Sequence, residues 1–476
     1  MNLKVLIVVC FSVCALFASG RSSLVNDVAG FNKMVKTLLA GDTIVLSNGK
    51  WKDVQLTFKG KGEKERYICL IAETPGKVSL EGTSSLQLSG EWLWVSGLTF
   101  TNGYTLKKTV IDFRTGSKEY AFNSVLSNCV IDQYNQPAKT TADHWVELWG
   151  KNNRVEYCYF GGKTNEGTTL VIWPNDANST SNNHLIRYNY FGHRPALGVN
   201  GGETIRVGTS DVCTNVSASI ISNNYFEQCN GEVEIISNKS CDNQYLNNTF
   251  YECEGCLTLR HGNRAVVAGN WFIGNNRKNT GGVRIINEGH RIYNNFFYQL
   301  RGEEFFSALS IMNAIPNSPA NGYAPVKDVI VANNTFLDCS LPWNFCAGAN
   351  DRGRTVIPES TLLVNNLVYS PKESLLFVAS DNRSGIATEN NLLIYGKGFC
   401  SELGSVNGEA KRSKIHGIEV LTTNKEAKIL PFVITDITGR DRSQPVIGAF
   451  QDKVGDPLIK LATAKNCGPH WYKQRK

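Results

Sequence analysis

The sequence predicts an all-β chain wound as a single parallel β-helix, with a short N-terminal cap and an irregular C-terminal tail. Three observations point there. A polar residue, often asparagine, precedes an aromatic or apolar pair again and again; long helical periodicity is scarce; and short β-prone segments alternate with Gly, Asn and Asp. The motif runs from Asn128-Cys129-Val130 through Cys158-Tyr159-Phe160, Asn189-Tyr190-Phe191, Asn224-Tyr225-Phe226, Asn248-Thr249-Phe250, Asn270-Trp271-Phe272, Asn295-Phe296-Phe297 and Asn334-Thr335-Phe336 to Asn366-Leu367-Val368. Its tightest spacings give a unit of roughly 22–25 residues, and insertions lengthen the others. One coil of that size cannot bury its apolar residues alone, whereas stacked coils share one core. Asparagine suits the bends because it tolerates left-handed backbone geometry and its side chain bonds neighbouring backbone.

Taken in order, the first element is not part of the fold. Lys4, the apolar run Val5 to Phe17 and the small residues Ala18-Ser19-Gly20 have the layout of a secretory signal over residues 1–20. The run is short for a membrane span, and no later stretch approaches about 18 unbroken apolar residues, so an exported protein with no membrane partner is expected. A short helix at Phe31 to Leu39 is expected to cap the first coil, since solenoid ends need covers. The β-helix itself is assigned to 21–395. Beyond about residue 395 the repeat fades, and 396–476, rich in Lys, Thr and Pro, is expected to pack on the solenoid.

Charge and cysteines bound the function. The net charge of +7 fits a polyanionic substrate. No concentrated basic stretch marks a nucleic-acid reader. Of 14 cysteines, all but Cys10 and Cys14 remain after the signal, an even set that suggests disulfides in an exported chain, with Cys253/Cys256 and Cys339/Cys346 as candidate local pairs. Sequons stand at Asn178, Asn215, Asn238, Asn247, Asn333 and Asn382, some of which would carry glycans on export from a eukaryotic cell.

Three stretches carry candidate chemistry. Aligned by apolar positions, Val233, Leu257 and Val283 point inward, as do Ile235, Leu259 and Ile285. Alternation then turns Glu232, Glu234, Thr258, Arg260 and Arg284 outward on one face. Ile236 departs from the pattern, being apolar where alternation would expose it. Thr204-Ile205-Arg206 is expected in the preceding coil, with Glu203 beside it and Lys239 at the next bend. Elimination across a uronic acid needs loss of the C5 proton beside a carboxylate whose charge opposes the carbanion. A divalent cation held by Glu and Asn oxygens relieves that opposition, and oxygen donors suit calcium. Lys239 is then placed to take the proton. Arg260 is placed either to stabilise charge or to pass a proton to the leaving oxygen.

Gly231-Glu232-Val233-Glu234-Ile235-Ile236-Ser237-Asn238-Lys239-Ser240, followed by Leu259-Arg260-His261-Gly262, resembles the signature of polysaccharide lyase family six. That family holds alginate lyases and chondroitinase B. The likeness runs through most of the mature chain and is densest from about Trp145 to Cys339. It implies a right-handed parallel β-helix and a calcium site at Asn200, Glu232 and Glu234. It also implies Lys239 as base and Arg260 as proposed acid. Glu203 is a further ligand candidate in the alginate-type members. Asn279-Thr280-Gly281-Gly282-Val283-Arg284-Ile285-Ile286-Asn287 and Met312-Asn313-Ala314-Ile315-Pro316-Asn317-Ser318-Pro319 look like alginate lyase segments, so an acidic polysaccharide, alginate, is the expected substrate of a monomeric enzyme.

His261, Arg206, Arg284 and Tyr323 are candidates for substrate binding. The plainer readings are a turn contact for His261 and structural pairing with Glu203 or Glu234 for Arg206 and Arg284. Rival functions are a dermatan sulfate lyase, a silent carbohydrate-binding β-helix and a two-carboxylate hydrolase. Because the Asn238 sequon overlaps Lys239, Asn238 is expected to carry no glycan in active enzyme.

Overall fold

A computed structural model describes residues 20–373, 375–400, 402–451 and 456–472. The signal segment 1–19 lies outside them. Three 14-stranded sheets, all but their edge pairings parallel, run the length of the molecule, each coil giving one strand to each sheet. This is the parallel β-helix the repeat predicts. From Phe160 onward the last residue of each repeated motif points into the core, where Phe191, Phe226, Phe250, Phe272, Phe297 and Phe336 stack with centroids 4.5–4.9 Å apart; the first motif stands one residue out of register, Val130 pairing with Tyr159 and Ile131 with Phe160.

The motif's asparagines form a second, polar ladder. The Nδ2 of Asn189, Asn224, Asn248, Asn270, Asn295, Asn334 and Asn366 each donates to the Oδ1 of the next coil's asparagine at 2.9–3.0 Å, ending on Asn391. All are fully buried, so the bonds replace water that the core excludes. Left-handed backbone belongs to the residue before each ladder asparagine, such as Asn223 (φ 54°), Asn247 (φ 54°) and Asn294 (φ 53°). Asparagine therefore does two jobs at two adjacent positions.

The cap is one helix, Val28–Val35. It starts three residues before the expected position because the Asp27 side chain accepts from Gly30 N and caps it there. Phe31 plugs the end of the core. At the other end, the chain after Leu392–Tyr395 forms a two-stranded hairpin, Lys411–Ile415 with Ile418–Thr422, and then runs irregularly. Ile415, Val420, Ile447 and Phe450 bury against Trp271, Phe296, Leu337 and Leu367 on the outside of the third sheet. Ala462 and Cys467 cover Tyr159, Tyr190 and Tyr225. No helix among the described residues is long and apolar enough to cross a membrane.

The disulfide expectation is corrected. All 12 described cysteines are free thiols. Cys253 Sγ lies 3.5 Å from Phe226 O while Cys256 Sγ lies 3.3 Å from Phe305 O; Cys339 and Cys346 likewise reach Phe297 O and Asn382 O. The two thiols of each candidate pair turn to different carbonyls, and most of the thiols are buried as small apolar fillers.

Candidate active site

The predicted residues gather at the second sheet, on or beside four neighbouring strands: β1 (Ile205–Gly208), β2 (Glu234–Lys239), β3 (Gly255–His261) and β4 (Thr280–Ile285); Asn200, Glu203, Glu232 and Tyr323 lie outside the strands. Arg206, Ser237, Thr258 and Arg284 are register partners in one outward row. The inward rows are Ile205–Ile236–Leu257–Val283 and Val207–Asn238–Leu259–Ile285. The expected pairing of β2 is therefore corrected. Val233 is exposed, at 45%, and Ile236 is the residue that faces the core. Strict alternation failed for two reasons. An extra residue at Ile235 breaks the register between Glu234 and Ile236. And a polar residue, Asn238, points inward: its Nδ2 donates to Ser240 O and His261 O, while its Oδ1 accepts from Asn243 and Tyr245. A second irregularity leaves Arg260 as the extra residue of β3, between Leu259 and His261. Both distortions fall beside the candidate chemistry and re-aim Glu234 and Arg260.

Asn200, Glu232, Glu234, Arg260, Arg284 and Tyr323 line one open cleft of about 620 Å³. Glu232 lies just before β2, its Oε2 accepting from Gly201 N (2.8 Å) and Gly202 N (3.2 Å). That approach requires glycine: a Cβ on Gly202 would stand 2.4 Å from Gly231 O. Burial pushes the Glu232 carboxyl up to about 7, with the charges of Glu203 and Glu234 adding to the rise. Glu234 accepts from Ser237 Oγ and lies 3.8 Å from Arg260 Nε.

Glu203 is fully buried and takes a hydrogen bond from Thr168 Oγ1 (3.0 Å). Beneath it Arg194, also buried, donates to Glu203 O, Asn165 O and Gly167 O. Sequence reading passed over Arg194; its three backbone partners lie 9, 29 and 27 residues away in the chain, so no local signal marks it.

All-oxygen donors at Asn200, Glu232 and Glu234 fit a hard cation such as calcium. The mutual repulsion that raises Glu232 is the charge a bound cation would offset. Glu203 fits less well, its carboxylate being turned to Thr168. No three His, Cys, Asp or Glu side chains among the described residues already converge as a metal cluster.

The other candidates divide. Lys239 ends β2 and pairs in register with His261. It is half-buried and carries no ion pair among the described residues. His261 is buried, and its Nε2 meets Ser210 Oγ at 3.1 Å. Burial, with Arg260 and Lys239 nearby, holds it down at about 3, hence neutral. Neither arginine makes the plainer pairing. Arg206 stacks over Trp173 at 5.2 Å, and Arg284 donates from Nη2 to Tyr323 Oη at 2.5 Å. Arg260 sits 4.3 Å over the Tyr323 ring, its Nη groups donating to Asn321 O and Gly322 O. Burial lowers the Arg260 pKa, and the Arg284 and Arg354 charges lower it further. Arg354, 4.7 Å over the same ring, was not foreseen, because it reaches the site from a distant loop.

The family model described as Chondroitinase B matches residues 25–424. Among solved structures, the family-six alginate lyase AlyGC superposes with a TM-score of 0.85 at 36% identity, and an arginine-to-alanine variant of it with 0.87 at 36%, each covering 96% of this chain. The chain spans 59% of the length of those two proteins. A mannuronic acid specific family-six lyase from human gut microbiota matches with a TM-score of 0.73 at 32% identity, over 79% of this chain and 86% of its own. The family-six polysaccharide lyase Pedsa3628 from Pseudopedobacter saltans matches with 0.70 at 27%, over 94% and 99%. No curated protein matches the sequence.

Proposed function

The chain belongs to the chondroitinase B family of polysaccharide lyases, and from that premise we propose that it is a secreted alginate lyase working by calcium-assisted β-elimination. One observation carries the reading: a single cleft joins a carboxylate and amide cluster, Asn200, Glu232 and Glu234, to the guanidinium groups of Arg260 and Arg284, with Lys239 on the adjoining strand end. A binding module has no use for a base set beside such a cluster, and a hydrolase would give saturated products.

Calcium, when bound at Asn200, Glu232 and Glu234, would neutralise the uronate carboxylate and so make its C5 proton more acidic. Lys239 takes that proton. The electron pair forms the C4–C5 double bond as the glycosidic oxygen leaves C4. Arg260 and Arg284 hold negative charge as it develops. His261 stays neutral and orients the end of β3 through Ser210.

Alginate is preferred because AlyGC is an alginate lyase and the gut lyase is mannuronic acid specific. The description of the family model favours dermatan sulfate as the second reading. Secretion rests on the signal-like segment 1–20. The test of the mechanism is Lys239→Ala. Formation of unsaturated product should fall by roughly 10²-fold or more while polymer binding persists. Undiminished cleavage would contradict it.

A further inference from the structure

Arg194 lies beneath the two segments that carry Asn200 and Glu232. It is 3% exposed. Its backbone is tied to the next coil, Arg194 N donating to Gln228 O at 3.1 Å and Asn230 N to Arg194 O at 2.9 Å. The side chain then passes under Gly231. A Cβ on Gly231 would stand 2.7 Å from Arg194 Nε, 2.8 Å from its Cδ and 2.2 Å from Gly202 O. The residue before Glu232 is therefore glycine in part because the arginine fills that space.

The guanidinium ends among oxygens of two neighbouring coils. Nη1 donates to Glu203 O at 2.9 Å and to Thr169 Oγ1 at 3.3 Å, while Nη2 donates to Asn165 O at 3.1 Å and to Gly167 O at 3.0 Å. Gly167 N in turn donates to Gly201 O at 2.9 Å, and Thr169 N to Glu203 O at 3.2 Å. The 201–203 segment is thus held at Gly201 and at Glu203, and its own amides at Gly201 and Gly202 donate to Glu232 Oε2. One chain of hydrogen bonds runs from Arg194 through that segment to the Glu232 carboxylate.

The solenoid itself does not call for a cation at this bend. The register partner of Arg194 in the next coil is Cys229, a small thiol that donates to Phe191 O and Gly192 O. A buried charge is costly unless acceptors and opposite charges meet it. Burial pushes Arg194 down to about 10, so it keeps its charge at neutral pH, and Glu203, Glu232 and Asp143 lie near enough to favour that charge.

We propose that Arg194 is a positioning residue for the calcium site. Its guanidinium fixes the 201–203 backbone against Gly231 and Glu232, which keeps Asn200 and Glu232 set for one cation, and its charge offsets part of the repulsion between the Glu203 and Glu232 carboxylates. The assignment rests on the calcium-assisted reading above and deepens it. Arg194 acts through Glu203 and Glu232 and not on the polymer. A lysine would keep the charge but lose the planar fork that reaches acceptors on two coils at once.

The test uses the full chain and Arg194→Lys. Calcium binding is measured by isothermal titration calorimetry without polymer, unfolding by denaturant in chelator, and lyase rate as a function of calcium concentration. Arg194→Lys is expected to bind calcium about tenfold or more weakly. It should need correspondingly more calcium for half its maximal rate, and saturating calcium should return that rate to within about fivefold of the natural protein's. A purely structural role would lower the unfolding midpoint in chelator and leave calcium affinity unmoved, and that result overturns the proposal. A rate that saturating calcium fails to restore overturns it as well. Should Arg194→Lys fail to fold, Gly231→Ala decides, because its methyl group presses on Arg194 Nε and Gly202 O: weaker calcium binding with the rate restored at saturation supports the proposal, and unchanged affinity overturns it. Failure of the calcium reading looks different, since the natural protein would then bind no calcium and keep its full rate in chelator.

Discussion

Glu232→Gln should stabilise the protein when calcium is withheld. Folding brings the Glu232 carboxyl beside Glu203 and Glu234 and buries it, raising its pKa from 4.5 to about 7. Between those values the folded chain holds a proton that the unfolded chain has lost, so stability falls as pH rises through that window. Below 4.5 there is no cost; above 7 the whole cost is present. A rise of that size corresponds to about 3 kcal/mol, and because the side chain keeps some contact with water, ~1–3 kcal/mol is expected. Glutamine keeps an oxygen for Gly201 N and Gly202 N while removing the charge. The assay is denaturant unfolding of both proteins at pH 8 and pH 4.5 in chelator, repeated at pH 8 with millimolar calcium. Glu232→Gln should be the more stable at pH 8 in chelator and lose that advantage at pH 4.5. Calcium should stabilise the natural protein and leave the variant nearly unmoved. Equal or lower stability of the variant at pH 8 in chelator would refute the repulsion argument.

Two further outcomes are expected. His184 and His290 are fully buried and held neutral, burial pushing them down to about 3 and about 4 from a usual 6.5. The unfolded chain takes up those protons first, so stability should fall as pH drops below 6.5, by about 4 kcal/mol at pH 5 for the pair; unfolding curves unchanged from pH 7 to pH 5 would contradict this. Asn238, fully buried with four side-chain hydrogen bonds, should carry no glycan in protein expressed in a glycosylating host, and glycopeptide mapping that found it occupied in active protein would count against the placement.

Much of this was legible in the chain. The asparagine and phenylalanine positions announce the ladders because each coil must place the same residue at the same bend. Glu232, Glu234, Lys239 and Arg260 sit close enough in sequence for one strand pair to bring them together. The register of β2 was not legible, since alternation assumes that no residue is unpaired and that inward means apolar; Ile235 and Asn238 break both assumptions. Cysteine parity misled because even numbers do not place Sγ atoms together: the thiols of each candidate pair turn to different carbonyls and are free. Arg194 and Arg354 were invisible because only the fold brings them to Glu203 and Tyr323.

The account's central claim is elimination from an acidic uronate polymer, and the most direct measurement is ultraviolet absorbance of the unsaturated product during digestion of alginate, dermatan sulfate and a pectin-like polymer. Alginate should give a rise that chelator abolishes and calcium restores. A rise on dermatan sulfate alone, or saturated products with no rise on any polymer, would contradict it.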